Sequence, residues 1–243
     1  MSDEAAPGGR RCELAARLAE VQDRIATACA DAGRDPAGVR LVVVTKFFPV
    51  GDLELLAALG VADVGESRDQ EASVKLAALG PEPRRALHVH FIGQVQSRKA
   101  GSVARYADTV HSIDRPKLVA ALDRGAEAAG RRLQVLVQVN LEDDPQGAAR
   151  GGVRPAQACE LADAVAATTH LDLRGVMAVA PLGADPARAF AELQEVAAAV
   201  RADHPEAGWI SAGMSADLEA AVANGATHLR VGTAILGSRP PLR

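Results

Sequence analysis

Apolar residues recur along this chain in two rhythms that take turns. Short continuous runs rich in Val, Ile and Leu read as strands buried on both faces, and the stretches between them, apolar at every third or fourth position, read as amphipathic helices. Leu14, Leu18, Val21, Ile25 and Cys29 predict a helix over 12–32, closed by Gly33. Leu41-Val42-Val43-Val44 is a first strand, stopped by Pro49 and Gly51. Helix 53–59, strand 62–65 and a charged helix over 68–79 follow. Residues 87–92 alternate as a third strand, 96–106 form a polar helix and 109–113 a fourth strand. Helix 116–129 comes next, with Asp114 before it and Pro116 at its first turn. The second half repeats the alternation with strand 133–141, helix 155–167, strand 171–180, helix 186–201, strand 209–212, helix 215–223 and a last strand over 228–236.

Eight strands alternating with helices predict an α/β protein, a single (β/α)8 TIM barrel with an extra N-terminal helix. A doubly wound open sheet is the competing arrangement. It would carry G-x-G-x-x-G after the first strand, where this chain has Phe47-Phe48-Pro49. Residues 1–10 are expected to be a disordered tail and 11–243 one barrel domain.

Composition narrows the function. Hydrophobic residues make up 48% of the chain but aromatics only 2%, so the core must be built from Ala, Val and Leu. A net charge of −4, with no basic run, argues against nucleic acid as a partner. No apolar stretch is long enough to span a bilayer, and the N-terminus has no apolar segment of a secretory signal. Cys12, Cys29 and Cys159 are widely spaced, which suits reduced thiols in the cytoplasm and offers no metal site.

The lysines are informative. Only Lys46, Lys75, Lys99 and Lys117 interrupt a chain that otherwise uses arginine among its 27 basic residues. Lys46 ends the first strand. A desolvated lysine can lose its proton, as arginine cannot, and a neutral amine adds to aldehydes. The alternative is a lysine that merely snorkels out of a strand end. After the seventh strand, Gly213-Met214-Ser215 opens a helix and offers backbone N–H groups and a hydroxyl to an anion, although Ser215 could be a plain helix cap. In the eighth strand Arg230 needs either an acidic partner or a ligand acceptor, and Gly232 and Thr233 follow it. TIM barrels often hold phosphate after strands seven and eight, which closure brings next to strand one. A reactive lysine beside a phosphate cradle suits pyridoxal phosphate.

Several motifs, in order, carry a resemblance. They are Val44-Thr45-Lys46, Gly65-Glu66 with Gln70-Glu71, His90-Phe91-Ile92-Gly93 with Gln96-Ser97 and Lys99, and His111-Ser112-Ile113-Asp114. Gln138-Val139-Asn140, Arg174-Gly175-Val176-Met177, Gly213-Met214-Ser215 and Arg230-Val231-Gly232-Thr233-Ala234-Ile235 with Gly237 and Arg239 complete the series. The chain resembles the pyridoxal phosphate homeostasis proteins, whose barrel is like the N-terminal domain of alanine racemase, from about residue 41 to 239. The resemblance implies a fold-type III barrel with pyridoxal 5′-phosphate held as an aldimine on Lys46. It also implies Arg230 at the pyridine nitrogen, and Met214, Ser215, Gly232 and Thr233 around the phosphate. Asn140 and His90 would lie beside the cofactor, His90 at the barrel mouth. A cation at the pyridine nitrogen disfavours its protonation and makes the ring a poorer electron sink.

The chain departs from the family pattern at Phe47-Phe48-Pro49, where many relatives have Thr-Lys-Pro, at Ser67, where Asn is usual, and at Ala212, where Met is usual. His88 and His90 share a strand face, but with no third ligand in view a metal site is not expected. Glu142, Asp143 and Asp144 read as a solvated loop cluster and Met177 as pocket wall or core.

Two functions of different class fit. One is a non-catalytic cytoplasmic carrier, expected to be monomeric, that stores pyridoxal phosphate and passes it to apoenzymes. The other is an amino-acid racemase, which needs an acid or base opposite the lysine. In alanine racemase a tyrosine of a second domain supplies it, and the one tyrosine here, Tyr106, is predicted on a helix away from the strand ends.

Overall fold

In the computed structural model, which describes residues 7–142 and 151–238, eight parallel strands close into a barrel in the order β1 to β8. They are β1 (Arg40–Val44), β2 (Asp63–Glu66), β3 (His88–Phe91), β4 (Thr109–Ile113), β5 (Leu133–Gln138), β6 (Leu171–Met177), β7 (Trp209–Ser211) and β8 (His228–Val231). The helices are α1 (Pro7–Asp31), α2 (Val50–Ala58), α3 (Asp69–Ala77), α4 (Pro81–Ala86), α5 (Ala100–Tyr106), α6 (Pro116–Ala128), α7 (Ala158–Ala166), α8 (Pro186–Asp203), α9 (Leu218–Ala223) and α10 (Thr233–Leu236).

The predicted barrel and its added helix are both present. Strand residues alternate between the helix layer and the barrel interior. The outward set, Val43, Val64, Val89, Val110, Val135, Val176, Leu229 and Val231, joins the helices in one apolar cluster. The short aliphatic side chains forced by the scarcity of aromatics fill this layer. Helix α1 buries Leu14, Leu18, Val21, Ile25 and Cys29 and packs on α9 and α10. Arg24 pairs with Glu219 of α9 at 2.7 Å, and Arg10 with Asp52 of α2 at 2.8 Å. The extra helix therefore clamps the seam where β8 meets β1.

Three expectations need correction. The helix starts at Pro7, so residues 7–10 of the expected tail are helical, and Arg10 is tied down by Asp52. The eighth strand ends at Val231, because Gly232 turns out of strand geometry at φ −121°, ψ −73°, and Thr233–Leu236 is a short helix. Helix α4 was not anticipated; its sequence, PEPRRA, has little apolar period to betray it. Residues 1–6, the loop with Asp143 and Asp144, and Arg239 lie outside the described residues.

Candidate functional site

Strand β1 hands its chain to a tight turn. The Phe48 N–H donates to Thr45 O at 3.1 Å, placing Lys46 and Phe47 at the two central positions. Phe47 has φ +72°, the left-handed conformation that a type II turn demands at its third position and that glycine normally supplies. A phenylalanine there costs about 1–2 kcal/mol, so something must hold it. Glu71 of α3 accepts the Phe47 N–H. The ammonium of Lys75, one helical turn on, donates to Glu71 Oε1 at 3.0 Å, Glu66 Oε1 at 2.8 Å and Thr45 O at 2.9 Å. Thr45 Oγ1 adds a bond to Glu66 Oε1 at 2.7 Å. Burial raises the Glu66 carboxyl above its usual range against the pull of Lys75, and its Oε2 lacks a partner among the described residues. Lys46 itself is half-buried, with Nζ 5.8 Å from the centre of the Phe47 ring. A cavity of about 500 Å³ opens beside this turn, lined in part by Ser67, Gln70, Glu71, Gln96 and Lys99.

On the other side of β1, Val43 pairs with Val231 of β8, so Gly232 lies against Val44 and Lys46 stands one inward layer above them. A Cβ on Gly232 would come 3.1 Å from Val44 O. The turn after β7 has Gly213 at φ +89°, where a Cβ would meet Ala221 at 2.6 Å. This packing brings Met214 and Ser215 to the rim, where the Met214 N–H donates to Asp217 Oδ1 at 2.6 Å and Met214 is 38% exposed. Thr233 is exposed at the start of α10. Arg230 is buried below this rim, its Nη1 donating to Ser211 Oγ at 2.6 Å and Nη2 to Ala178 O at 2.9 Å. Desolvation lowers its pKa to about 10, against the pull of Asp217. Among the described residues Arg230 therefore has no acidic side chain in hydrogen-bond contact. Asn140 lies beyond the end of β5, its side chain accepting from the Glu142 N–H at 2.9 Å.

His90 is the residue the structure moves. It is not at the mouth. Its ring is 1% exposed, with Nε2 2.9 Å from Asp63 Oδ1 and Nδ1 2.8 Å from His111 Nε2. Both nitrogens are engaged inside the barrel, so neither is free to bond a ligand. The neighbouring His88 binds Thr109 Oγ1 instead, and the pair does not converge on a common point. The interior also holds His111, Ser211 and His228, all buried, where TIM barrels usually pack branched apolar chains. The sequence signal was there in His88, His90, Thr109 and His111 on the inward parity of β3 and β4, but their partners sit on distant strands.

A family profile described as "Alanine racemase, N-terminal domain" matches residues 17–240. A pyridoxal phosphate homeostasis protein of Mycobacterium tuberculosis is 44% identical over 98% of this chain and 97% of its own length. The chain belongs to this family. Within the family, PipY of Synechococcus elongatus, solved with pyridoxal phosphate bound, superposes with a TM-score of 0.78 at 32% identity, covering 92% of this chain and all of that one. Alanine racemase of Corynebacterium glutamicum shares the fold, with a TM-score of 0.69 at 17% identity over 96% of this chain and 63% of its own. The fold-type III barrel expected of a family member is the one found.

Proposed function

We propose that this family member binds pyridoxal 5′-phosphate covalently through the amine of Lys46 and serves its storage and delivery in the cytoplasm. The donor set suits the group. A half-buried amine lies next to a rim with the Ser215 and Thr233 hydroxyls, and a buried guanidinium lies beneath them. The observation that carries the reading is this joining of Lys46 to the β7–β8 rim in a chain 32% identical to a protein solved with pyridoxal phosphate. When bound, the group would supply an electrophilic aldehyde and a conjugated ring. Lys46 would take the aldehyde, Met214, Ser215, Gly232 and Thr233 would hold the phosphate, and Arg230 would face the pyridine nitrogen and keep it unprotonated. Asn140 would border the ring from the β5 side.

A carrier is favoured over a racemase because the sole tyrosine is not placed to act as an acid or base. Tyr106 is buried on α5, its hydroxyl 3.4 Å from Asp69 Oδ1, and burial raises its pKa far above the ordinary value. The carrier works as a monomer and hands its cargo to apoenzymes transiently.

The experiment is the absorbance spectrum of purified protein with added pyridoxal phosphate, for the native chain and Lys46→Ala. A new band that borohydride bleaches while fixing mass to the protein, present in the native chain and absent from Lys46→Ala, is the expected result. An identical band in both proteins would move the attachment elsewhere, and no band in either would end the reading.

A further inference from the structure

Five buried side chains from five strands form one continuous hydrogen-bonded line across the barrel. It starts at Asp63 on β2, passes through His90 on β3, His111 on β4 and Ser211 on β7, and ends at Arg230 on β8. Its links are 2.9 Å from Asp63 Oδ1 to His90 Nε2, 2.8 Å from His90 Nδ1 to His111 Nε2, 2.9 Å from His111 Nδ1 to Ser211 Oγ, and 2.6 Å from Ser211 Oγ to Arg230 Nη1. None of the five is more than 7% exposed.

With both imidazoles neutral, the two ends decide the direction of every bond between them. A guanidinium can only donate, and an ionised carboxylate can only accept. With Asp63 accepting, His90 Nε2 must carry hydrogen. A neutral His90 then accepts at Nδ1 and takes the Nε2–H of His111. A neutral His111 in turn accepts at Nδ1 and takes the hydroxyl proton of Ser211, whose oxygen accepts from Arg230. Every donor finds one acceptor. In the opposite arrangement an imidazole lone pair would face the Asp63 carboxylate at 2.9 Å. The surroundings hold the line in this state. Burial lowers His111 well below its ordinary pKa, aided by His90, Arg230, His228 and His88. Burial acts to raise the pKa of Asp63, but the hydrogen bond from His90, with Arg40 close by, outweighs it and leaves the carboxyl below its usual value. The groups facing the line are Arg40, whose Nη1 is 3.8 Å from Asp63 Oδ2, and His88 and His228, with ring centres 4.7 and 6.0 Å from that of His90. At the far end Asp217 acts on Arg230.

We propose that Asp63 is a positioning residue for Arg230, holding the guanidinium fixed from across the barrel through a one-way line of donors that runs Arg230 to Ser211 to His111 to His90 to Asp63. Each N–H or O–H dipole in the line turns its negative end to Arg230 and its positive end to Asp63. The line thus orients the arginine with no carboxylate in hydrogen-bond contact with it among the described residues. The site keeps a bare cation, since a carboxylate in contact would compete with a ligand acceptor. This inference rests on the proposed function only in giving Arg230 a ligand.

The first test needs no ligand. Long-range ¹H–¹⁵N correlation spectra of the native protein resolve the tautomers of its six histidines. His90 and His111 are both expected as neutral Nε2–H imidazoles near pH 7. His111 as an Nδ1–H tautomer, or His90 as an imidazolium, would overturn the proposal and leave the reading of Lys46 untouched. The second test compares Asp63→Asn with Asp172→Asn, which removes an ion pair on the outer end of β6. A carboxamide can present either its oxygen or its amide to His90, so the line loses its polarity. Asp63→Asn is expected to give mixed His111 tautomers and to weaken pyridoxal phosphate binding about threefold to tenfold, with a displaced absorbance maximum, while Asp172→Asn changes none of these. Unchanged tautomers and an unchanged spectrum in a folded Asp63→Asn protein would also overturn the proposal.

Discussion

Lys75 and Arg230 are both withdrawn from water, at 7% and 4% exposure, on opposite sides of the turn that carries Lys46. Their charges are met in opposite ways. Lys75 is surrounded at close range: all three of its protons go to acceptors within 3.0 Å, two of them carboxylates. Among the described residues Arg230 donates to a hydroxyl and a carbonyl and to no carboxylate; Asp217 acts on its charge without such a contact, and Asp63 lies four hydrogen bonds away. A cation sealed by carboxylates has nothing left to offer a ligand, and it serves as a girder. A cation whose counter-charge is remote stays available. Lys75 supports the backbone on which Lys46 is mounted, whereas Arg230 is itself presented to the site.

The difference should appear most strongly in stability. Lys75→Met leaves Glu66 and Glu71 facing each other around a buried apolar chain, and breaking a buried pair in this way costs about 3–5 kcal/mol. Arg230→Met removes a poorly solvated cation and leaves Asp63 with Arg40 still near it, so the expected cost is smaller, about 1–3 kcal/mol, mainly from the unpaired Ser211 and Ala178 acceptors. Urea unfolding followed by the fluorescence of Trp209, the one tryptophan, measures both. Equal costs would mean that the two cations are not used differently.

Acid sharpens the same contrast. Burial holds His228 at a pKa of about 3 and lowers His88 and His111 as well. These are bases with depressed folded-state values. Their contribution is therefore fully present above the unfolded value near 6.5, and it is lost as pH falls from there towards the folded values. His228 takes up a proton on unfolding in that window and so steepens the loss by about 1.4 kcal/mol per pH unit, and His88 and His111 act in the same direction. Glu66 behaves oppositely: its raised pKa means that acid relieves the Lys75 cluster rather than straining it. Replacing His228, which stacks 4.3 Å from Trp209, with Phe should reduce the slope of unfolding free energy between pH 6 and 5 by about 1.4 kcal/mol per unit. An unchanged slope would show that His228 is already protonated in the folded barrel.

How much of this was legible in the sequence follows from range. Strand β4 lies over the predicted residues 109–113, because a short stretch with Thr109, Val110 and Ile113 between a loop and a proline-led helix is too short for a helix of its own. The eighth strand was overextended because Thr233-Ala234-Ile235-Leu236 is apolar in either conformation, and only the backbone at Gly232 separates them. Lys46 and Arg230 were visible as charges inside apolar runs. Their settings were not. His90 shares a strand with His88, which invited a local reading, but its partners Asp63 and His111 lie 27 and 21 residues away and meet it only when the barrel closes. Nor does anything local in Glu66, Glu71 and Lys75 reveal that they grip the peptide after Lys46.

That grip makes a last and smaller prediction. Phe47 keeps a left-handed φ of +72°, held by Glu71, which is in turn held by Lys75. Alanine there would keep the strain and lose the ring, whereas glycine would lose the ring and the strain together. Left-handed geometry costs a non-glycine residue about 1–2 kcal/mol, and the looser unfolded chain of glycine returns about 0.5–1 kcal/mol of that. Phe47→Gly should therefore be more stable than Phe47→Ala by about 0.5–1 kcal/mol, the reverse of the usual order in regular structure. The same pair made in a Lys75→Met background tests what imposes the turn. If the Lys75 cluster does, the gap closes there, because the freed segment can relax to an ordinary φ; if it persists, the conformation belongs to the β1 turn itself.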